Sequence, residues 1–286
     1  MKYGHLISSS LIFILLLAAT IGWPGNEHAL SKSSKKAKTA ADRKTYAQKQ
    51  LDKYWANAKE EVDKSTLELF AQNQAEIEKG LKFAKFMQGD TSKKQIAITF
   101  DDGPHPAYTP KLLKILKKNN VKATFFLVGE MAEKYPDLVK AEKAAGHDVG
   151  NHTYHHVNLT KIPMEDVATE IKACGKVLQS ITGRAPHLFR PPGGDYNKKV
   201  AEMAEAEGYT MILWTDDPGD YASPGDKAIK IRTLDRVSNG GIILIHDGVQ
   251  QTVDVLPQII KYLKDKGYEL VTIDEMMGGR RKGKKG

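Results

Sequence analysis

Only one cysteine, Cys174, occurs in the 286 residues, so the chain holds no intramolecular disulfide framework and no multi-cysteine zinc or iron–sulfur centre. Cys174 falls in an apolar-periodic stretch and is expected to pack as a small hydrophobe. Long apolar runs are scarce as well. The run at residues 11–21 is shorter than the ~20 residues that span a bilayer comfortably. Behind Lys2 it reads as an export signal, and counted from Leu6 it serves as a retained anchor, so residues 1–23 are a signal peptide or an N-terminal membrane anchor. No cysteine follows the run, which excludes a lipid-modified cysteine anchor. Either way the folded part lies outside the membrane.

The body of the chain also lacks the positive charge that the total of +8 suggests. Six basic residues against one acid at 32–44, and five against none at 280–286, put +10 into two tails and leave the rest near −2. A phosphate-binding surface needs its Lys and Arg on the folded body, so nucleic acid is not expected as a partner. The tails suit contact with anionic wall polymers or lipid head groups, or stand as solvated ends. A hydrophobic content of 41% supports a sizeable core and excludes disorder of the whole chain.

Residues 24–45, rich in Ser, Lys and Ala, cannot bury enough surface to fold alone and form a linker. In 46–90, Leu51, Tyr54, Trp55, Ala58, Val62, Leu67, Phe70, Ile77, Leu81 and Phe86 recur mostly three or four apart, which predicts one or two amphipathic helices. Their apolar stripe would dock on the main domain or pair with another chain, and nothing in the segment is expected to carry chemistry. The main domain spans 92–278, with a basic tail at 279–286. Within it, strand-like runs at 95–100, 123–128, 147–150, 188–190, 210–214, 241–245 and 269–273 alternate with helical patterns at 109–119, 131–145, 164–181, 198–207, 225–237 and 253–266. About seven such units predict an α/β fold with a mostly parallel sheet, closed or nearly closed into a β/α barrel. The chemistry of such a barrel gathers on the loops after the strands.

Polar residues cluster at those strand ends. Asp101 and Asp102 stop the first run ahead of Gly103-Pro104. His152 and His156 follow the third run four residues apart, so that on a helical turn both imidazoles could meet one metal ion. With Asp102 they make one carboxylate and two histidines, a set that leaves coordination positions open as a catalytic zinc requires. Later strand ends supply Arg190-Pro191-Pro192-Gly193-Gly194, then Trp214 through Tyr221 with Asp217 and Asp220, then Leu244-Ile245-His246-Asp247-Gly248. Each has a plain structural reading alone: an acid-capped turn, a surface histidine pair, an ion pair, a turn former. Their occurrence at successive strand ends is what makes those readings poor.

In this order, from residue 94 to 276, the elements resemble the polysaccharide deacetylases of carbohydrate esterase family four, the NodB-homology domain. The resemblance implies an incomplete, distorted (β/α) barrel and metal-dependent hydrolysis of an N-acetyl group on a hexosamine polymer or, in some members, an O-acetyl group on xylan. Residue by residue it implies Asp101 as general base, with Arg190 holding its carboxylate. Asp102, His152 and His156 become metal ligands, for zinc first and cobalt, nickel or manganese otherwise. Asp220 would tune the catalytic His246, Leu244 would line the acetyl-methyl pocket, and Gly193, Tyr221 and Trp214 complete the substrate and oxyanion side. His155 carries no family role. Two departures bear on substrate rather than catalysis: Pro192-Gly193-Gly194 stands where many members have Pro-Pro-Tyr-Gly, and Tyr221 where a tryptophan is common. The implied partner is an acetylated polysaccharide outside the cytoplasm, peptidoglycan first and chitin-like or poly-N-acetylglucosamine chains next, with the composition of a Gram-positive protein. The alternatives are a catalytically silent carbohydrate-binding relative, an acetyl-xylan esterase, or a zinc hydrolase acting on a non-sugar amide or ester.

Overall fold

The structure is a computed structural model that describes residues 63–278. The expected signal or anchor, the linker, the first part of the helical segment and both basic tails lie outside the described residues. In chain order the elements are α1 (Thr66–Glu78), β1 (Lys85–Phe86), β2 (Gln95–Gly103), α2 (Thr109–Lys118), β3 (Thr124–Leu127), α3 (Gly129–Lys134), α4 (Pro136–Ala144), β4 (Asp148–Asn151) and α5 (Met164–Thr182). There follow β5 (Leu188–Phe189), α6 (Lys198–Ala206), β6 (Thr210–Ile212), α7 (Asp226–Arg236), β7 (Gly241–His246), α8 (Gln250–Asp265), β8 (Glu269–Val271) and α9 (Ile273–Met276).

The strands pair in the order β1-β6-β5-β4-β3-β2-β7, all parallel, with β8 beside the start of β2. Asp216, beyond the end of β6, forms a bridge to Ile243 on β7 and draws the sheet's two sides together. The result is the incomplete barrel expected from the sequence. Seven strands fall where the apolar runs stood; β1, two residues long, is an addition within the segment expected to be helical. The predicted helix over 131–145 is two helices, because Pro136 lacks the N–H a continuous helix needs and forces Tyr135 out of helical geometry (φ −128°, ψ 56°).

Period-two alternation sorts the side chains of each strand between two apolar clusters. Ala97, Ile242 and Leu244 belong to one, while Ile96, Ile98, Phe100, Ile243 and Ile245 join α2 and α8 in the other. Asp101 and His246 continue the first series, so the alternation that packs the core also aims both at the barrel interior. Their Cα atoms are register partners across β2 and β7. Asp102 has the wrong parity for that face. An irregularity in the β2–β3 register between Phe100 and Gly103, with Asp102 at φ 71°, turns its side chain toward the same mouth. Cys174 is fully buried, as expected of a small hydrophobe.

α1 docks differently from the expected stripe. Leu67, Phe70 and Ile77 are exposed, whereas Leu69 is fully buried and Glu76 nearly so. Polar contacts decide the face: Gln72 donates to the Tyr196 carbonyl at 3.2 Å and Glu76 pairs with Lys85. Among the described residues no helix is long and apolar enough to cross a membrane.

Phe125 is fully buried and stacks on Phe100 with centroids 4.9 Å apart, next to the strand end that carries Asp101 and Asp102. Phe125→Ala is expected to cost about 3–5 kcal/mol, measured by urea unfolding.

Candidate active site

Arg190 is fully buried after β5 and points into the barrel. Its Nη1 donates to Asp101 Oδ1 at 2.7 Å and to Thr99 Oγ1 at 2.8 Å, and its Nε donates to the Ile212 carbonyl at 3.2 Å. The second Asp101 oxygen, Oδ2, lies 3.6 Å from His152 Nε2. The other nitrogen of that ring, Nδ1, donates to the Arg190 carbonyl at 2.8 Å, which leaves Nε2 to face the carboxylates.

Asp102 Oδ1 stands 3.1 Å from His156 Nε2 and 3.5 Å from His152 Nε2. It is buried and lacks a hydrogen-bonding partner. All three ligand atoms lie within 4.8 Å of one another. Tetrahedral bonds of about 2.0–2.1 Å put neighbouring ligand atoms about 3.3 Å apart, so the two measured separations fit a zinc-sized ion, and the orphaned Asp102 oxygen has the chemistry to bind one. Burial pushes the Asp102 carboxyl up, yet the imidazoles of His156 and His152, with His246 beyond, bring it well below the usual carboxylate range.

The histidines do not share a helical turn. Thr153 (φ 65°) and His156 (φ 56°) bend the loop instead, and the two rings lie 4.8 Å apart. Glu170 on α5 holds that loop by accepting the backbone N–H groups of Tyr154 and His155 at 3.1 and 2.8 Å and pairing with His155 Nδ1 at 2.6 Å. His155 is thus a clamp for the ligand loop.

On the opposite wall Asp220 commits both oxygens to β7 and α8. Oδ1 meets His246 Nδ1 at 2.7 Å, and Oδ2 accepts the His246 backbone N–H at 2.8 Å and the Thr252 hydroxyl. Burial lowers the His246 pKa, but the adjacent Asp220 charge and hydrogen bond, with Asp102 and Asp63 nearby, hold it well above the ordinary value. Tyr221 packs edge-on against that ring, centroids 5.5 Å apart. Leu244 and Trp214 lie beneath the site, closed to solvent, with Trp214 packed under Gly194. Asp217, weighed as a turn former, is one: its Oδ1 accepts the Gly219 N–H at 2.7 Å.

Sequence reasoning missed Asp63. It comes from the segment expected to be chemically silent, yet its Oδ2 is 3.6 Å from His246 Nε2. Burial, opposed by His246 and reinforced by Asp217, Asp101 and Asp102, pushes its carboxyl up to about 7. One signal was available: Ser65 with Glu68 forms a capping box, which starts the helix at 66 and leaves 63 and 64 as a lead-in free to reach elsewhere.

Residues 88–212 match the family model for polysaccharide deacetylases. The chain is 39% identical over 191 residues to a peptidoglycan-N-acetylglucosamine deacetylase of Bacillus cereus, covering 65% of this chain and 89% of that protein. It is 36% identical over 187 residues to the peptidoglycan-N-acetylmuramic acid deacetylase PdaC of Bacillus subtilis, covering 65% of this chain and 39% of that one. Its structure resembles that of the Bc1960 peptidoglycan N-acetylglucosamine deacetylase, with a TM-score of 0.69 at 36% identity over 73% of this chain and 98% of that one.

The sign of the His246 shift can be checked directly. Asp220 favours the imidazolium and burial disfavours it, so removing the Asp220 charge leaves burial less opposed. In Asp220→Asn the ring is expected to lose its proton at a pH lower by about one unit or more, read from imidazole resonances in an NMR titration.

Proposed function

We propose, for a chain that belongs to the polysaccharide deacetylase family, the hydrolysis of N-acetyl groups on the amino sugars of peptidoglycan, with release of acetate. One observation carries the reading: a buried Asp101–Arg190 pair, an Asp220–His246 pair and the Asp102, His152, His156 cluster converge on one barrel mouth. They do so in a chain 39% identical to a peptidoglycan-N-acetylglucosamine deacetylase.

An amide resists hydrolysis because its carbonyl is weakly electrophilic, water is a poor nucleophile near neutral pH and an amide anion is a poor leaving group. Asp102, His152 and His156 would hold a divalent ion, zinc first and cobalt, nickel or manganese otherwise. Bound there, the ion polarises the acetyl carbonyl and lowers the pKa of water. Asp101, fixed through Oδ1 by Arg190, keeps Oδ2 turned toward the ligand cluster to take the water's proton. His246, tied at Nδ1 by Asp220, presents Nε2 to the amide nitrogen and delivers the proton that lets the amine depart. Leu244 and Trp214 floor the pocket, and Gly193 and Tyr221 flank the glycan.

The Asp220 charge and hydrogen bond raise the His246 pKa against its burial and so favour the imidazolium, the form a proton donor needs. The substrate places the enzyme outside the cytoplasm, secreted or anchored to the membrane's outer face, where basic tails could rest on anionic wall polymer or lipid. The two kinds of relative leave N-acetylglucosamine and N-acetylmuramic acid as the sugars to compare first.

The purified full chain is expected to release acetate from peptidoglycan and from N-acetylglucosamine oligomers, to stop with a chelator and to resume with zinc. Asp101→Asn should lower turnover by about 10²–10⁴-fold with bound zinc retained, and His152→Ala should lose the zinc by metal analysis. Activity retained in Asp101→Asn, or release from acetyl-xylan alone, would overturn the assignment.

A further inference from the structure

Two consecutive residues of the chain itself already engage two groups that a glycan would use. Asp63 sets Oδ2 3.6 Å from His246 Nε2, the nitrogen that Asp220 leaves available, and its side chain is only 12% exposed. Lys64 then donates its backbone N–H to the Gly193 carbonyl at 3.0 Å, while its ammonium reaches Asp195 at 3.1 Å and Gln72 at 2.9 Å. Past this point the chain is firmly fixed: Ser65 caps α1, and Leu69 is fully buried against the core.

The leaving nitrogen of an acetamido group must come within about 3 Å of the proton donor, the region the Asp63 carboxylate now occupies. The aspartate side chain is a carboxylate on one methylene, which matches acetate, the product of the proposed reaction, in charge and size. Among the described residues the contacts that hold Asp63 and Lys64 are polar, whereas α1 is capped by Ser65 and held by core packing, so residues 63 and 64 can lift while the helix stays docked.

We propose that residues 63 and 64 form a strap closed over the active site, with Asp63 standing in the pocket as a tethered analogue of acetate that the glycan must displace. A binding-competent form present only as a fraction raises the apparent dissociation constant by that fraction, so releasing the strap strengthens substrate binding. The kinetic arm of the test rests on the deacetylase reading. A second arm, carbethoxylation of His246 by diethyl pyrocarbonate followed by peptide mass, with rates compared across pH at the limit where the ring is unprotonated, needs no turnover and separates the two ideas.

In the full chain, Asp63→Ala is expected to raise kcat/KM on the N-acetylglucosamine tetramer about fivefold or more, chiefly through a lower KM, and to speed His246 modification by a similar factor. Asp63→Asn, which keeps the shape and the backbone contacts, should fall between. A folded Asp63→Ala protein with lower kcat/KM would make Asp63 a substrate-binding residue and sink the strap, as would an unchanged modification rate. Faster modification with no acetate released by any variant would uphold the strap and remove the deacetylase reading.

Discussion

The guanidinium of Arg190 is cut off from solvent, and burying a cation of that size is costly unless a charge stands against it and its donors are met. Asp101 supplies the charge, Thr99 and the Ile212 carbonyl take two donors, and the face of Phe126 lies 4.1 Å beneath the guanidinium carbon. Nη2 finds no oxygen partner, so the balance depends all the more on Asp101. A lysine could not replace this fork, because one ammonium cannot reach two acceptors on β2 and a third on β6 in fixed directions. The same residue's carbonyl takes His152 Nδ1. One buried residue therefore sets the orientation of a carboxylate and of a candidate ligand ring.

Around that anchor the site separates acid from base by surroundings alone. Asp220 and Asp102 are both carboxylates beside histidines, and both are held low, but their geometries differ. Asp220 is saturated by His246, its backbone and Thr252, which makes it a fixed charge whose effect is exported to the ring. Asp102 keeps a buried oxygen without a hydrogen bond between two imidazoles, which makes it a candidate ligand for an ion. His246 responds to the first by holding its proton, and pairs of groups pushed apart in this way divide acid and base roles at one pH.

The placement of these groups was legible in the sequence from periodicity, while their pairing and roles were what the family resemblance implied. Alternation on β2 and β7 sends Asp101 and His246 inward, and strand ends bring Asp102, His152, His156, Arg190 and Asp220 to one mouth. What was illegible has two causes. The bend that carries His152 and His156 arises from a clamp by Glu170, 14 residues beyond His156 on another element, and spacing alone suggests a helical turn just as well. Asp63 was invisible because α1 docks by Leu69, Gln72 and Glu76 rather than by its larger apolar residues. A hydrophobic pattern cannot reveal a helix face chosen by an ion pair and a carbonyl.

The glycine pair after Pro192 bears on the second of these. Gly194 sits at φ 67°, and a Cβ there would come within 2.6 Å of the Trp214 ring and 3.4 Å of Leu69, so its bareness is what lets α1 pack against the indole. Gly193, at φ 63°, has open space where a Cβ would be. The family pattern often sets a tyrosine at this position, and here the backbone of Gly193 instead meets Lys64. The departure from the family pattern is thus also a gain of backbone contact. With no side chain at 193 or 194, residues 63 and 64 can approach the barrel mouth closely enough for Asp63 to reach His246, so a part of the chain that the family motifs do not include lies over that mouth.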